Sequence, residues 1–330
     1  MRLSVAAVLA LLPLAATAAE ERTFTIRYRA TVGPLPAGQG PVDVWVPLPE
    51  KTDAQDILAL KVESALPGKE ATEPRFGNKF WHGHMDKSDG KPVDVTVTAT
   101  VVRRALQGPL GKEGPQSYSA DENSKFEKYL QADKRVPLKG GPIEKIDAEI
   151  TQKLGDKAAD PEQMARAIYE YVVDNMEYKK VGTGWGNGDT FWACSAKYGN
   201  CTDFHALFLS LARRHGIPSK FEMGFPIPAD REKGNVAGYH CWVEFWLPGR
   251  GWVPIDASEA QKHPELRAML FGGQPADRVQ LSEGRDLLLP GMKGEALNYF
   301  VYPYVELAGQ PSKAMTWKLD YSGGAANGLQ

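Results

Sequence analysis

The chain has 330 residues, 24% of them charged and 42% hydrophobic, with a formal net charge of −2. A balance this close to zero excludes a strongly basic nucleic-acid binder or a polybasic membrane-surface protein, and the apolar fraction is that of an ordinary globular protein. The length exceeds what one hydrophobic core normally organises, so two domains are expected.

Residues 1–18 read as a secretory leader. Arg2 supplies its positive end, Val5 to Leu14 a short apolar run, and Ala16-Thr17-Ala18 a small-residue cleavage site. The run falls short of the ~20 residues needed to cross a bilayer. No cysteine follows the cleavage site to carry a lipid anchor. The expectation is a mature chain beginning near Ala19, in the periplasm or outside the cell, with no membrane anchor.

From Arg22 to about Leu106 the apolar residues recur with period two. Phe24, Ile26, Tyr28, Ala30 and Val32 form one run, and Val42, Val44 and Val46 a second. Leu58, Leu60 and Val62 form a third, and Val93, Val95, Val97, Ala99 and Val101 a fourth. Gly33-Pro34, Pro47, Pro67-Gly68 and Asp89-Gly90 separate them. Short alternating strands between turn residues predict an antiparallel β-sandwich, assigned to residues 19–117 with Gln107 to Ser117 as the joint. His82 and His84 share one strand face there. No third ligand accompanies them in the sequence, so they read as an exposed face rather than a metal site.

Beyond the joint the period becomes helical, and residues 118–330 are expected to form a second domain ending in a β-hairpin. Ile143, Ile146, Ile150 and Leu154 mark one helix, ended by Gly155. Asp160-Pro161-Glu162 is a helix start, after which Met164, Ala165, Ile168, Tyr169 and Val172 line one face. A stretch rich in Gly and aromatics follows, from Gly182 to Tyr198.

Asn200 is a good N-cap, which puts Cys201 at the first helical position. Phe204, Leu207, Phe208, Leu211 and Ala212 supply the apolar stripe, and Gly216 and Pro218 close the helix. Unpaired backbone N–H groups and the helix dipole favour a thiolate at such a start, and can donate to an oxyanion forming on an attacked carbonyl. The chain has three cysteines, Cys194, Cys201 and Cys241, an odd count that leaves one thiol over in an oxidising compartment. On this feature alone a buried structural cysteine explains Cys201 as well as a nucleophile does.

The segment from Gly238 to Leu247 alternates as a strand. His240, Trp242, Glu244 and Trp246 face one way, and Cys241, Val243, Phe245 and Leu247 the other. Pro248-Gly249-Arg250-Gly251 is a hairpin turn, and Trp252 to Asp256 begins the return strand. A thiol on a helix start, a His on a strand and an Asp on its neighbour supply nucleophile, base and orienter. A three-residue loop would pair Asp256 with Glu244, so a bulge near Pro254 is needed to bring Asp256 to His240. Glu244 is the alternative orienter. His205, one turn after Cys201, is the rival base.

These residues resemble bacterial transglutaminase-like proteins. The likeness rests on Gly199-Asn200-Cys201-Thr202-Asp203-Phe204, on His215-Gly216-Ile217-Pro218, on His240-Cys241-Trp242-Val243-Glu244, and on Gly251-Trp252-Val253-Pro254-Ile255-Asp256. It spans Asp160 to Ser258, and Asn298 to Tyr304 resembles the tail of that family's domain. It implies a papain-like α+β fold, with a Cys-bearing helix packed on an antiparallel sheet and an N-terminal β-domain before it. It assigns Cys201 as nucleophile, His240 as general base and acid, and Asp256 as orienter. Family members use an upstream aromatic N–H at the oxyanion, for which Trp185 and Trp192 are candidates; neither aligns, and the second donor stays unassigned. Animal members need calcium, but no acidic loop of the needed density occurs here, so no cofactor or metal is expected.

The implied activity is acyl chemistry through a thioester at Cys201. Water as acceptor makes a protease or amidase, an amine acceptor makes a transferase, and the substrate is a protein, a peptide or a cell-wall-derived amide. The glycine-rich stretches 182–190 and 226–238 are expected to be flexible and to rim the cleft. Cys241 faces away from His240 as a buried thiol, with a disulfide to Cys194 as the alternative. Two other classes compete: a zinc site from Cys194, Cys201, His205 and Cys241, whose spacing is unusual for zinc, and a binding protein that keeps the fold without catalysis.

Overall fold

The computed structural model describes residues 21–323, so the expected leader lies outside the described residues. Six strands come first: β1 (Glu21–Val32), β2 (Val42–Pro47), β3 (Gln55–Ser64), β4 (Gly68–Thr72), β5 (Lys79–Met85) and β6 (Val93–Arg104). The short β7 (Leu106–Gln107) leads to the helices α1 (Ala120–Lys125), α2 (Gly141–Leu154) and α3 (Pro161–Asn175). Then come β8 (Glu177–Tyr178), α4 (Thr190–Ala196), β9 (Tyr198–Gly199) and α5 (Cys201–Arg214). The strands β10 (Ser219–Pro226), β11 (Lys233–Val236), β12 (His240–Leu247) and β13 (Gly251–Ile255) precede α6 (Ala257–Lys262). The chain ends with β14 (Gly273–Gln274), β15 (Arg278–Glu283), β16 (Tyr304–Leu307), β17 (Gln310–Pro311) and β18 (Met315–Gly323).

The N-terminal alternation becomes two five-stranded antiparallel sheets, ordered β11-β18-β1-β6-β3 and β17-β16-β2-β5-β4. Phe24, Ile26, Tyr28, Ala30 and Val32 of β1 turn inward and meet Val42, Val44 and Val46 of β2 in one apolar cluster. The third run departs from strict alternation. A register shift between Ile57 and Ala59 opposite β6 adds a residue to edge strand β3, which turns Leu58 out to 64% exposure.

The C-terminal strands, expected on sequence to belong with residues 118–330, join these two sheets instead. β18 pairs with β1 along nearly its whole length, and β16 pairs with β2. The reason is edge protection: without β18 the long apolar strand β1 would present a row of unpaired backbone groups. The segment 226–238 is also tied in, because β11 pairs with β18.

The second region is a four-stranded antiparallel sheet, β13-β12-β10-β15, with α5 packed on it. Helix α3 starts as the sequence predicts, its N-cap Asp160 accepting from the Glu162 and Gln163 amides. The apolar face of α5 meets the odd-numbered face of β12, where the Phe208 and Phe245 rings lie 6.1 Å apart. The even-numbered face carries Trp242 and Glu244, with Lys220 Nζ 3.0 Å from Glu244 Oε2. The N-terminal sheets and the α5 region share the large apolar cluster. Polar ties join them as well: Gln55 exchanges two hydrogen bonds with Gln280, and Tyr28 donates to the Val301 carbonyl.

Candidate active site

Helix α5 starts at Cys201 because three neighbours specify that start. Asn200 is extended and its Oδ1 accepts from the Thr202 N–H at 3.0 Å, while Asp203 accepts from the Asn200 N–H in return. Asp203 also accepts from Gly186 N–H at 2.6 Å and Gly188 N–H at 3.0 Å. Gly199 is required beside it, since a Cβ there would lie 2.3 Å from the Asp203 carboxylate. A buried carboxylate thus holds both the helix start and the turn before it.

That turn is tied from a second side. Arg285 donates to the Gly188 and Asn187 carbonyls, and Asn298 donates to the Asn187 carbonyl. The expected flexible rim at 182–190 is therefore a fastened turn at 186–188. Asp203→Ala would leave three N–H groups without an acceptor, so urea unfolding should show a loss of about 3 kcal/mol. A loss below about 1 kcal/mol would mean that the carboxylate does not hold the turn.

Cys201 is 1% exposed, and its backbone N–H has no acceptor among the described residues, as befits a first-turn amide. The groups that lower its thiol pKa are Cys241 and the His240 ring. His240 opens β12, and its Nε2 lies 2.6 Å from Asp256 Oδ2, which leaves Nδ1 as the nitrogen free for Cys201.

Asp256 reaches His240 without the expected bulge. The hairpin pairs in unbroken register, Leu247 with Gly251 and Val243 with Ile255, because the turn sits one residue earlier than a pairing of Asp256 with Glu244 requires. Asp256 follows the last residue of β13 and caps α6, accepting from the Glu259 N–H at 3.0 Å and the Ser258 hydroxyl at 3.1 Å. Arg278 Nη1 donates to Asp256 Oδ2 at 3.2 Å. Sequence reasoning missed Arg278. A lone arginine inside a strand carries no signal until the carboxylate it faces is known to be buried.

These contacts set the charges. Burial pushes the Cys201 thiol up, but the hydrogen bonds from Cys241 and His240 outweigh it and hold the thiol at about 5. Burial pulls the His240 imidazolium down, but Asp256 and the Cys201 thiolate outweigh that and raise it to about 10. Burial also pushes the Asp256 carboxyl up, and His240 and Arg278 override it to hold the group well below the usual carboxylate range. The resting state is a thiolate–imidazolium pair with a carboxylate behind it.

The alternatives from sequence fall elsewhere. His205 accepts from the Ala257 N–H at Nε2, 3.2 Å away, so its hydrogen sits on Nδ1, which faces the Cys241 sulfur at 3.4 Å. Burial lowers its pKa to about 4, so it is neutral and not a base for Cys201. Glu244 is paired with Lys220 rather than His240. The Trp185 and Trp192 indoles donate to the Gly182 and Tyr198 carbonyls. Cys241 is free and faces His205 of α5, while Cys194 is free and packs in α4 near Ile146 and Leu207. Among the described residues no group of three His, Cys, Asp or Glu could hold a metal ion; His82 and His84 both bond to Asp43.

On the far side of His240 lies a cavity of about 210 Å³, lined also by Glu259, His263, Leu266, Met269 and Arg278. Tyr239 and Tyr299, with ring centroids 5.4 Å apart, stand over the Gly186 turn.

Residues 148–257 match the family model of the transglutaminase-like superfamily. An uncharacterized protein of Haemophilus influenzae is 28% identical over 340 residues, covering 90% of this chain and 89% of its own length. The uncharacterized protein YebA of Bacillus subtilis is 23% identical over 159 residues, 44% of this chain and 21% of that protein. In fold, the chain resembles a candidate cysteine protease from Cytophaga hutchinsonii, with a TM-score of 0.63, 16% identity and coverage of 94% and 93% of the two chains.

Proposed function

We propose that the protein is a transglutaminase-like cysteine enzyme whose nucleophile is Cys201, whose base and acid is His240 and whose orienter is Asp256, a reading supported by the match of residues 148–257 to the transglutaminase-like superfamily. The observation that carries this reading is the His240 Nε2–Asp256 Oδ2 contact of 2.6 Å, in a site where His240 also lowers the Cys201 thiol.

The Cys201 thiolate attacks the carbonyl carbon of an amide; the C–S bond forms and the carbonyl π bond opens. The developing oxyanion receives a hydrogen bond from the Cys201 N–H. As the tetrahedral intermediate collapses, the C–N bond breaks and His240 gives its proton to the departing amine. The neutral imidazole then takes a proton from water or an amine, which attacks the thioester and frees the thiolate. Asp256 holds the ring in place and stabilises the imidazolium at both proton transfers. Water makes the reaction a hydrolysis of a peptide, protein or cell-wall-derived amide, and an amine makes it a transfer. The leader expected at residues 1–18 supports a periplasmic or extracellular setting for this activity.

The reading is tested by alkylation. Because Cys201 is held near 5, its iodoacetamide rate should be flat between about pH 6.5 and 8.5, where an ordinary thiol with a pKa of about 8.5 gains most of its reactivity. Hydrolysis should follow a bell, rising through about 5 as the thiolate forms and falling through about 10 as His240 loses its proton. A labelling rate that rises tenfold per pH unit through neutrality, or prior modification of Cys194 or Cys241, contradicts the assignment.

A further inference from the structure

The reaction proposed above needs the start of α5 and the start of β12 at a fixed separation, because one carries Cys201 and the other His240. The sheet holds His240 from one side only. Strand β12 pairs with β10 as far as Gly224 opposite His240, but its pairing with β13 ends at Val243 and Ile255. Tyr239, the residue before the strand, reaches across to the helix. Its hydroxyl accepts from Asn200 Nδ2 at 2.8 Å and lies 3.3 Å from Thr202 Oγ1. Asn200 and Thr202 are the chain neighbours of Cys201, so the phenol beside the base meets both flanks of the nucleophile. The hydrogens follow from the remaining bonds. The Thr202 N–H and hydroxyl both donate to Asn200 Oδ1, which turns the amide nitrogen toward Tyr239 and uses the Thr202 hydrogen. The Tyr239 O–H therefore donates to Thr202 Oγ1. Its ring is backed by Tyr299 at 5.4 Å and Tyr302 at 5.7 Å, and Tyr302 stacks at 4.7 Å on Trp317 of β18. A strand of the N-terminal sheet thus braces the phenol.

We propose that Tyr239 is a positioning residue: its hydroxyl pins the start of α5 to the start of β12 and so sets the geometry of Cys201 against His240. This rests on Cys201 and His240 having the roles proposed above. Tyr239 exchanges no proton in the reaction and acts through those two residues. Burial pushes its phenol far above the ordinary value, so the hydroxyl keeps the hydrogen that it donates to Thr202. Asp256 holds the His240 ring, but it ties the ring to α6 and not to α5. One turn deeper in α5, His205 Nδ1 meets the Cys241 sulfur at 3.4 Å. Without the Tyr239 hydroxyl that contact becomes a pivot, about which the helix start moves relative to the ring. A displacement of about 1 Å between reacting groups costs about 100-fold in rate. The attraction between thiolate and imidazolium falls with their separation, so the thiolate loses stability by the same movement.

Tyr239→Phe keeps the ring and its aromatic neighbours and removes only the hydroxyl. Iodoacetamide labelling of Cys201 is followed against pH in the unaltered and variant chains, beside kcat and KM on one amide or ester substrate. In the variant the flat rate between about pH 6.5 and 8.5 should become a rising one, as the thiol midpoint moves up from about 5 toward the ordinary value of about 8.5. The kcat should fall about 10- to 100-fold while KM stays within about twofold. Thr202→Val keeps the side-chain shape and removes the acceptor of the Tyr239 hydrogen, so it should shift the labelling profile in the same direction by less. A hydroxyl that served stability alone would lower the urea midpoint and leave the labelling profile and kcat unchanged, a result that overturns the proposal. If Tyr239→Phe does not fold, Thr202→Val decides, and an unchanged profile and kcat there overturn the proposal. A profile that is flat in the unaltered chain and stays flat in Tyr239→Phe removes Tyr239 and leaves the nucleophile standing. An unaltered chain whose labelling rises about tenfold per pH unit through neutrality overturns both.

Discussion

Cys201→Ala should reduce amide or ester turnover to the uncatalysed background, a loss of at least about 10⁴-fold, because no other group can form the thioester. Cys241 is protonated and has no His at its sulfur able to take a proton, and Cys194 packs in α4, so neither can substitute. His240→Ala should fall nearly as far. Without the ring, the buried Cys201 loses the cation that holds it ionised, and the departing amine loses its proton source. Because the three side chains work as a unit, the double variant should be no worse than the weaker single one. Steady-state kinetics on any hydrolysed amide or thioester substrate measures this. Residual activity within about 100-fold of the unaltered enzyme in Cys201→Ala would place the chemistry on another residue.

Asp256→Asn should lower kcat/KM by about 10²- to 10⁴-fold. Asparagine keeps the shape but removes the charge that raises the His240 pKa. The imidazolium is then less favoured, the thiolate loses its partner, and the acid limb of the pH profile should move up from about 5 toward the ordinary thiol value. That shift separates an electrostatic role from simple misfolding, which would lower the rate at every pH. Asp256→Ala adds a structural cost. Arg278 is buried and would lose its carboxylate partner, and the first turn of α6 would lose its cap, so urea unfolding should show about 3–5 kcal/mol less stability. A threefold effect or less on kcat/KM in Asp256→Asn would remove Asp256 from the mechanism.

Much of the arrangement was legible because local chemistry and global fold agree. Asn200 before Cys201, with Asp203 three residues beyond the cap, is a capping pattern that can be read in the sequence, and it sets the thiol at the helix start. The alternation from His240 to Leu247 separates two faces, and the structure packs the Cys241 face against α5. What the alternation cannot supply is which strand lies beside which. Met315–Gly323 closes the edge of a sheet begun nearly three hundred residues earlier, and nothing local in its sequence points there. The hairpin register failed for a smaller reason. Moving a turn by one residue moves each pairing by two, and Asp256 meets His240 by leaving the sheet rather than by a bulge within it.

The contacts made by Cys241 and Arg278 were illegible for a third reason. Face alternation turns Cys241 away from His240, yet His240 stands at the first residue of its strand, and both act on the Cys201 thiol. Arg278 acquires meaning only through Asp256, which it helps to keep ionised in a buried position.

The most direct test is to trap the thioester. The enzyme is mixed with an activated acyl ester, quenched in acid within the first turnover, digested and examined by mass spectrometry. The acyl group should be found on Cys201, should be absent from Cys201→Ala, and should disappear on adding water-phase hydroxylamine or an amine acceptor. An acyl group carried by any other residue, or turnover without any acyl-enzyme in the unaltered chain, would contradict the assignment of Cys201 as the nucleophile.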